Sequence, residues 1–209
     1  MNTREIRVLA ASIKLTDQQG EILVGLLLGD GHLETQNQGR TFRLKVEHAI
    51  SQKEYTDWLY GYFKNISLTK PQLKLQMVAG KMREKYWFST ISTGTLRFYG
   101  QLFYVNRKKV VPKMIAKLAS PLSLAVWFMD DGSLKSKHHK ARIINTQCFD
   151  DISLQRLQDM LKSKFNIVTT LRQQKEGKQI YIPSTEIEKF IALIKPYIHP
   201  TMEYKIKLT

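Results

Sequence analysis

Two stretches of this chain are apolar at nearly every position. Ile22-Leu23-Val24-Gly25-Leu26-Leu27-Leu28 runs into Gly29-Asp30-Gly31. Much later, Leu124-Ala125-Val126-Trp127-Phe128-Met129 runs into Asp130-Asp131-Gly132. Neither has a polar stripe, which predicts helices buried on most sides rather than surface helices. Their starts fit that reading. Thr16 followed by Gln19 is a capping-box pattern, and Ser120-Pro121 offers an N-cap with proline at the first helical position. Gly31 and Gly132 stand where a helix C-terminus favours a left-handed residue, and are expected to be its caps.

After each apolar run the period changes to alternation. Polar loops lead into strands over Thr41–Glu47 and Ala141–Thr146, followed by amphipathic helices over Glu54–Ile66 and Ser153–Phe165. Two more strands follow in each copy: Gln72–Val78 and Tyr86–Ile91, then Ile167–Gln174 and Gln179–Ile182. The turns between them centre on Gly80 and Gly177, as hairpins require. Closing helices are expected over Leu96–Tyr104 and Glu186–Tyr197. With the segments that lead out of the apolar runs, Gly31-His32-Leu33 and Gly132-Ser133-Leu134, counted among the strands, the order α-β-β-α-β-β-α is written twice, which predicts an α+β fold of two pseudo-symmetric subdomains. These are placed at 16–118 and 119–209, after an N-terminal extension at 1–15. No Pro/Gly/Ser-rich linker separates the copies.

Composition narrows the class. The chain has 209 residues, 33 Lys and Arg against 18 Asp and Glu, and a formal net charge of +15. The excess is shared: residues 1–118 carry 19 basic and 9 acidic side chains, and residues 119–209 carry 14 and 9. A basic surface spread over the whole molecule suits a polyanionic partner, above all nucleic acid. The one cysteine, Cys148, excludes a disulfide scaffold and a Cys-based zinc cluster, and reads as a small buried residue. No apolar stretch approaches the ~20 residues of a membrane span, and no targeting signal is evident. An intracellular protein without a membrane partner is expected, in a prokaryotic cytoplasm or an organelle matrix.

Asp30 and Asp131 close the two apolar helices at equivalent positions, each one residue before a glycine. A carboxylate at a helix C-terminus opposes the helix dipole, so its repetition points to a task for the negative charge. If the two helices pack side by side, the carboxylates and neighbouring carbonyls become a hard-oxygen set suited to Mg²⁺.

Leu23–Gly31 and Leu124–Gly132 resemble the paired signature motifs of single-chain LAGLIDADG homing endonucleases. The likeness runs through Val105-Asn106-Arg107-Lys108-Lys109, Asn145-Thr146-Gln147, Leu193–Tyr197 and Met202–Lys205, and is nearest to a yeast mitochondrial intron-encoded member. It implies a monomer whose eight strands form a saddle-shaped antiparallel platform for double-stranded DNA, with the motif helices at the subdomain interface. It implies a divalent-metal-dependent cut of both strands of a long asymmetric target, with staggered 3′ overhangs. By motif position the metal ligands are Asp30 and Asp131, with the carbonyls of Gly29 and Asp130. The metal would be Mg²⁺, with Mn²⁺ or Ca²⁺ able to occupy the same sites. Lys109 and Lys205, similarly spaced after the two acids, match the family's paired active-site lysines. Two departures stand out. Leu28 and Met129 replace a usually acidic position, and Val126 and Asp130 replace the glycines matched by Gly25 and Gly29 in the first copy. A splicing maturase that binds intron RNA and a non-catalytic DNA-binding regulator are the alternatives on the same fold.

Strand alternation places Phe42, Leu44 and Val46 on one face and Arg43, Lys45 and Glu47 on the other. The polar face is expected to read bases in the major groove. Candidate contacts are Arg40, Arg43, Lys45, Lys74, Gln76, Lys85, Lys135, Lys137, Arg142, Arg172, Gln174 and Lys178. Glu47 and Gln147 are read as ending matching strands, where they position water or phosphate. His138-His139 is read as loop.

Overall fold

An amphipathic helix, α1 (Thr3–Ser12), precedes the first apolar run, which forms α2 (Asp17–Leu28). The structure is a computed structural model and describes residues 3–78, 80–136 and 139–207. Every residue from Ile22 to Leu28 is buried. The expected capping box starts the helix: Gln19 N donates to Thr16 Oγ1 at 3.1 Å, and Thr16 N donates to Gln19 Oε1 at 2.9 Å. Beyond it come β1 (His32–Glu34), β2 (Arg43–Ala49), α3 (Lys53–Phe63), β3 (Gln72–Val78), β4 (Lys81–Ser89) and α4 (Arg97–Phe103). The strands form an antiparallel sheet in the order β1-β2-β4-β3. Leu44, Val46 and Phe88 on its inward face are buried with Tyr55, Leu59 and Phe63 of α3, so α3 backs this sheet.

The second copy opens after a small hairpin and a short helix that the sequence pattern does not announce: β5 (Tyr104–Val105), β6 (Lys108–Lys109) and α5 (Ile115–Leu118). Then come α6 (Pro121–Asp131), β7 (Gly132–Ser136), β8 (His139–Ile144), α7 (Asp151–Phe165), β9 (Thr170–Gln174), β10 (Gly177–Ile182) and α8 (Ser184–Ile194), with a 3₁₀ segment at Pro200–Lys205. The sheet order β7-β8-β10-β9 repeats the first. Helix α6 is buried from Leu122 to Met129, and its Ser120–Ser123 capping box and Pro121 are as expected. The predicted order αββαββα is therefore present twice.

The glycines after the motif helices are not left-handed caps. Gly132 has φ −75° and ψ 145°, and among the described residues the glycines with positive φ are Gly39, Gly80 and Gly177. Space explains Gly132 instead: a Cβ there would lie 2.3 Å from the Phe128 ring.

Contacts group the chain as Met1–Gly20 with Asp30–Gln101, and Glu21–Gly29 with Leu102–Thr209. These units are drawn differently from the sequence repeats, because the body of α2 packs on α6. A Cβ at Gly25 would lie 2.5 Å from the Ser123 carbonyl oxygen and 2.7 Å from Val126 Cβ; at Gly29 it would lie 2.4 Å from Asp130 Oδ2. The side chains that replace glycine in the second copy therefore fill the space left by the glycines of the first. The asymmetric departure from the motif is a fitted pair.

Register refines the correspondence of the copies. Leu33 pairs with Leu44 and Leu134 with Arg142, while Val46 pairs with Phe88 and Ile144 with Ile180. Arg142 thus takes the inward place of Leu44, and Glu47 corresponds to Asn145 rather than Gln147. Neither Glu47 nor Gln147 ends a strand: β2 continues to Ala49, and Gln147 lies beyond β8.

Candidate active site

A helix leaves its last four carbonyls without partners of its own. At the end of α6 all four are satisfied, and the residues responsible are the functional candidates. The Phe128 carbonyl accepts from Gly132 N. Lys205 Nζ donates to the carbonyls of Met129 and Asp130, the latter at 3.1 Å. The Asp131 carbonyl accepts from Asn145 N and Nδ2, both at 3.0 Å. At the end of α2, Lys109 Nζ donates to the Gly29 carbonyl at 2.7 Å. Each lysine thus places an ammonium on the carbonyl of the residue immediately before a motif acid. The negative end of the helix dipole favours a cation there. Lys109 comes from the unforeseen β5–β6 hairpin. Lys205 comes from the C-terminal 3₁₀ segment, 7% exposed.

The acids differ in their surroundings. The Asp30 side chain is 49% exposed, with His48 Nε2 3.9 Å from its Oδ2. His48 is buried, and its Nδ1 lies 2.9 Å from Thr56 Oγ1, whose hydroxyl donates to the Gln52 carbonyl at 3.1 Å. The signal for His48 was its place in the alternation: it follows Leu44 and Val46 on the inward face, where a polar ring is out of character. Asp131 is half-buried, and Asp130 turns its carboxylate to the contact with Gly29. Carboxylates and helix-end carbonyls are hard oxygen donors, and both helix ends already hold an ammonium. A carbonyl oxygen has a second lone pair, so these residues fit a divalent cation.

On the outward face of the first sheet the candidates Arg43, Lys45, Lys74, Gln76 and Lys85 lie together, as alternation requires. They are joined by Glu34, which the sequence reading passed over. Arg43 Nη2 is 2.5 Å and its Nε 2.8 Å from Glu34 Oε2, and Lys45 Nζ is 3.6 Å from Oε1. Burial alone would raise the Glu34 carboxyl, but hydrogen bonds from Arg43 and His32 and the charges of Arg43 and Lys45 hold it below its ordinary value. Lys74 Nζ lies 2.5 Å from Glu47. Arg83, opposite Gln76 in register, adds a cation that was also missed. Arg40 is exposed in the β1–β2 loop, its carbonyl taken by Arg97 Nε.

In the second sheet Arg172, Gln174, Gln179 and Tyr181 share the outward face. The Arg172 guanidinium stacks 3.7 Å from the Tyr181 ring centroid, and Lys135 Nζ lies 5.9 Å from it. Several candidates are corrected here. Arg142 is fully buried and cannot read bases: its guanidinium donates to the carbonyls of Lys140, Ala141, Lys205 and Lys207. Burial pushes it below its ordinary pKa, and it remains a cation at neutral pH. Its work is to anchor the segment that carries Lys205. Lys178 alternates with Gln179 and Tyr181, so it points to the helix side, where its Nζ meets Asp151 at 2.6 Å. Gln147 packs its backbone on the turn glycine Gly177. Cys148 is exposed rather than buried. Lys137 and His138 lie outside the described residues, and His139 is exposed on β8.

The doubled αββαββα order, the acid ending each buried helix and the lysine on each helix-end carbonyl define a class. The chain belongs to the LAGLIDADG DNA endonuclease family, whose model matches residues 20–190. It is 30% identical over 210 residues to the DNA endonuclease I-ChuI of Chlamydomonas applanata, covering 93% of this chain and 96% of that one. It is 32% identical over 192 residues to the cytochrome b mRNA maturase bI2 of Debaryomyces hansenii, covering 89% and 72%. The solved structure of the homing endonuclease I-WcaI bound to its DNA recognition sequence matches with a TM-score of 0.92 and 26% identity, over 100% of this chain and 94% of that one. No helix among the described residues is long and apolar enough to cross a membrane.

Proposed function

We propose that this protein is a site-specific homing endonuclease that hydrolyses both strands of a double-stranded DNA target, acting as a monomer because one chain carries both copies of the site. One observation carries the reading: a lysine ammonium sits on the carbonyl before Asp30 and on the carbonyl before Asp131. Local stability gives no reason to place an acid after both of these helices; a shared chemical task does.

Asp30 and Asp131, with the carbonyls of Gly29 and Asp130, would hold divalent cations, Mg²⁺ by preference with Mn²⁺ or Ca²⁺ able to substitute. A cation bound there supplies Lewis acidity at the phosphate and lowers the pKa of a coordinated water. Lys109 and Lys205 are already fixed by their carbonyl bonds, so they meet charge developing on the phosphate without reorganising. Met129 and the buried wall of α6 hold the Lys205 ammonium away from bulk water, which strengthens that field. The outward strand faces supply recognition. Arg172 is held flat on Tyr181 and Arg43 is held by Glu34, so each presents a guanidinium of restricted direction to base edges.

Similarity to a maturase supports a second reading, in which the same surface binds intron RNA. Cleavage separates the two. Plasmids carrying the uninterrupted sequence around the gene's own insertion site are incubated with protein in Mg²⁺ or in chelator. The expected result is a linear product with staggered ends in Mg²⁺ alone. Intact plasmid in every metal, with tight binding of the intron transcript, favours the maturase reading.

A further inference from the structure

The ladder between β8 and β10 ends at Ile144 and Ile180, yet side chains carry the connection further. Gln179 Nε2 donates to Asn145 Oδ1 at 2.6 Å, and Asn145 delivers both its backbone N and its Nδ2 to the Asp131 carbonyl. The amide sense of Asn145 is thereby set: its oxygen accepts from Gln179 and its nitrogen donates to Asp131. Gln179 is 9% exposed and faces Arg172 across the strands, on the surface where Arg172 stacks on Tyr181. A continuous line of contacts therefore runs from the outward face of β9 and β10 to the backbone of the second motif acid. In the first copy the corresponding positions are Glu47 and Trp87. The Glu47 side chain carries no amide donor and is paired with Lys74 instead, so this relay belongs to the second copy.

We infer that Asn145 and Gln179 are positioning residues for Asp131. They clamp the carbonyl at which α6 turns into β7, and so hold the direction of the carboxylate that follows from that backbone. The inference rests on Asp131 being a metal-binding acid, as proposed above. An amide relay serves here better than a charged pair, because it fixes geometry without adding charge next to the acid.

The test uses the full chain with its DNA target. Asn145→Ala and Gln179→Leu remove the relay; Asn145→Leu keeps a side chain of similar size at that position while removing the amide, and adds no charge beside Asp131. At saturating protein, the cleavage rate should fall about tenfold in each, the scale at which groups behind a metal ligand act. DNA affinity should stay within about twofold, and the double variant Asn145→Ala/Gln179→Leu should be no slower than Asn145→Ala, because both act through one carbonyl. Mn²⁺ titrated into the protein–DNA complex and followed by electron paramagnetic resonance should bind more weakly in the same variants. Wild-type cleavage and Mn²⁺ binding, with a lowered Tm as the only change, would overturn the inference and leave the amides as a splice of the sheet. Losses in rate that merely track losses in DNA affinity would also overturn it. Asp131→Asn is measured alongside: if it cuts like the wild type, the assignment of Asp131 fails, whereas a dead Asp131→Asn beside fully active relay variants removes the relay alone.

Discussion

Asp30 and Asp131 each stand against the dipole of the helix they terminate, a cost of several tenths of a kcal/mol that a neutral residue would not carry. Function and stability should therefore separate. Asp30→Asn and Asp131→Asn are expected to abolish double-strand cleavage with DNA affinity unchanged, and Asp131→Asn to raise Tm slightly; plasmid linearisation and thermal melting check both. The lysines divide in another way. Lys109 is partly exposed and donates to the Gly29 carbonyl, whereas Lys205 is buried and donates to the carbonyls of both Met129 and Asp130. Lys109→Met should slow cleavage with little loss of stability. Lys205→Met should slow cleavage and also lose ~1–3 kcal/mol, since buried carbonyls are left without a donor. Arg142→Ala should behave as Lys205→Met does, through the segment it anchors, and should leave base preference in a randomised-site selection intact. A shifted preference would restore Arg142 to the reading surface.

At the scale of elements, the contact of α2 with α6 depends on the missing side chains of Gly25 and Gly29. Gly25→Ala would press a methyl onto the Ser123 carbonyl oxygen, a backbone atom with no rotamer to move aside. The expected loss is ~1–3 kcal/mol, read from a denaturant titration. Helix α7 is fastened at its start by Asp150, whose side chain accepts from Ser153 N at 2.7 Å. That hydrogen bond holds the Asp150 carboxyl below its ordinary value. The folded pKa is the lower one, so the cap's stabilisation is complete above the unfolded carboxyl pKa and is lost as pH falls through the folded value. Asp150→Ala should cost ~1 kcal/mol at neutral pH, and the difference from wild type should close in acid.

The whole molecule carries +15, spread over both copies. With ~6–10 phosphate contacts, DNA affinity should fall by ~10³–10⁵ between about 50 and 200 mM salt. Base preference should not follow that decline, because base edges and not phosphates carry it. Arg43→Ala should relax preference at one or two positions within one half of the target, at a cost of ~1–3 kcal/mol against the best base. A selection showing preference lost evenly along the target would mean that the outward face of β2 is not the reading face.

Much of this was legible in the chain because it rests on period and repetition. Solid apolar runs ending in Asp30 and Asp131, alternation at Leu44 and Val46, and the doubled element order are all local patterns. Each states its own structure, and the repeat marked the acids and lysines as paired. What local pattern could not supply was register and the partner of each side chain. Arg142 reads as an outward strand cation until the sheet puts it in the place of Leu44. Lys178 reads as a groove contact until the pairing of Gln179 with Arg172 fixes which face is outward and leaves Lys178 on the helix side, against Asp151. His48, Glu34, Asn145 and Gln179 matter only through residues brought beside them by folding. The types of residue and their order along the chain determined the family and the acids of this protein. Which atoms hold those acids in place was decided by tertiary structure alone, because a hydrogen bond depends on ångström distances that no spacing in sequence encodes.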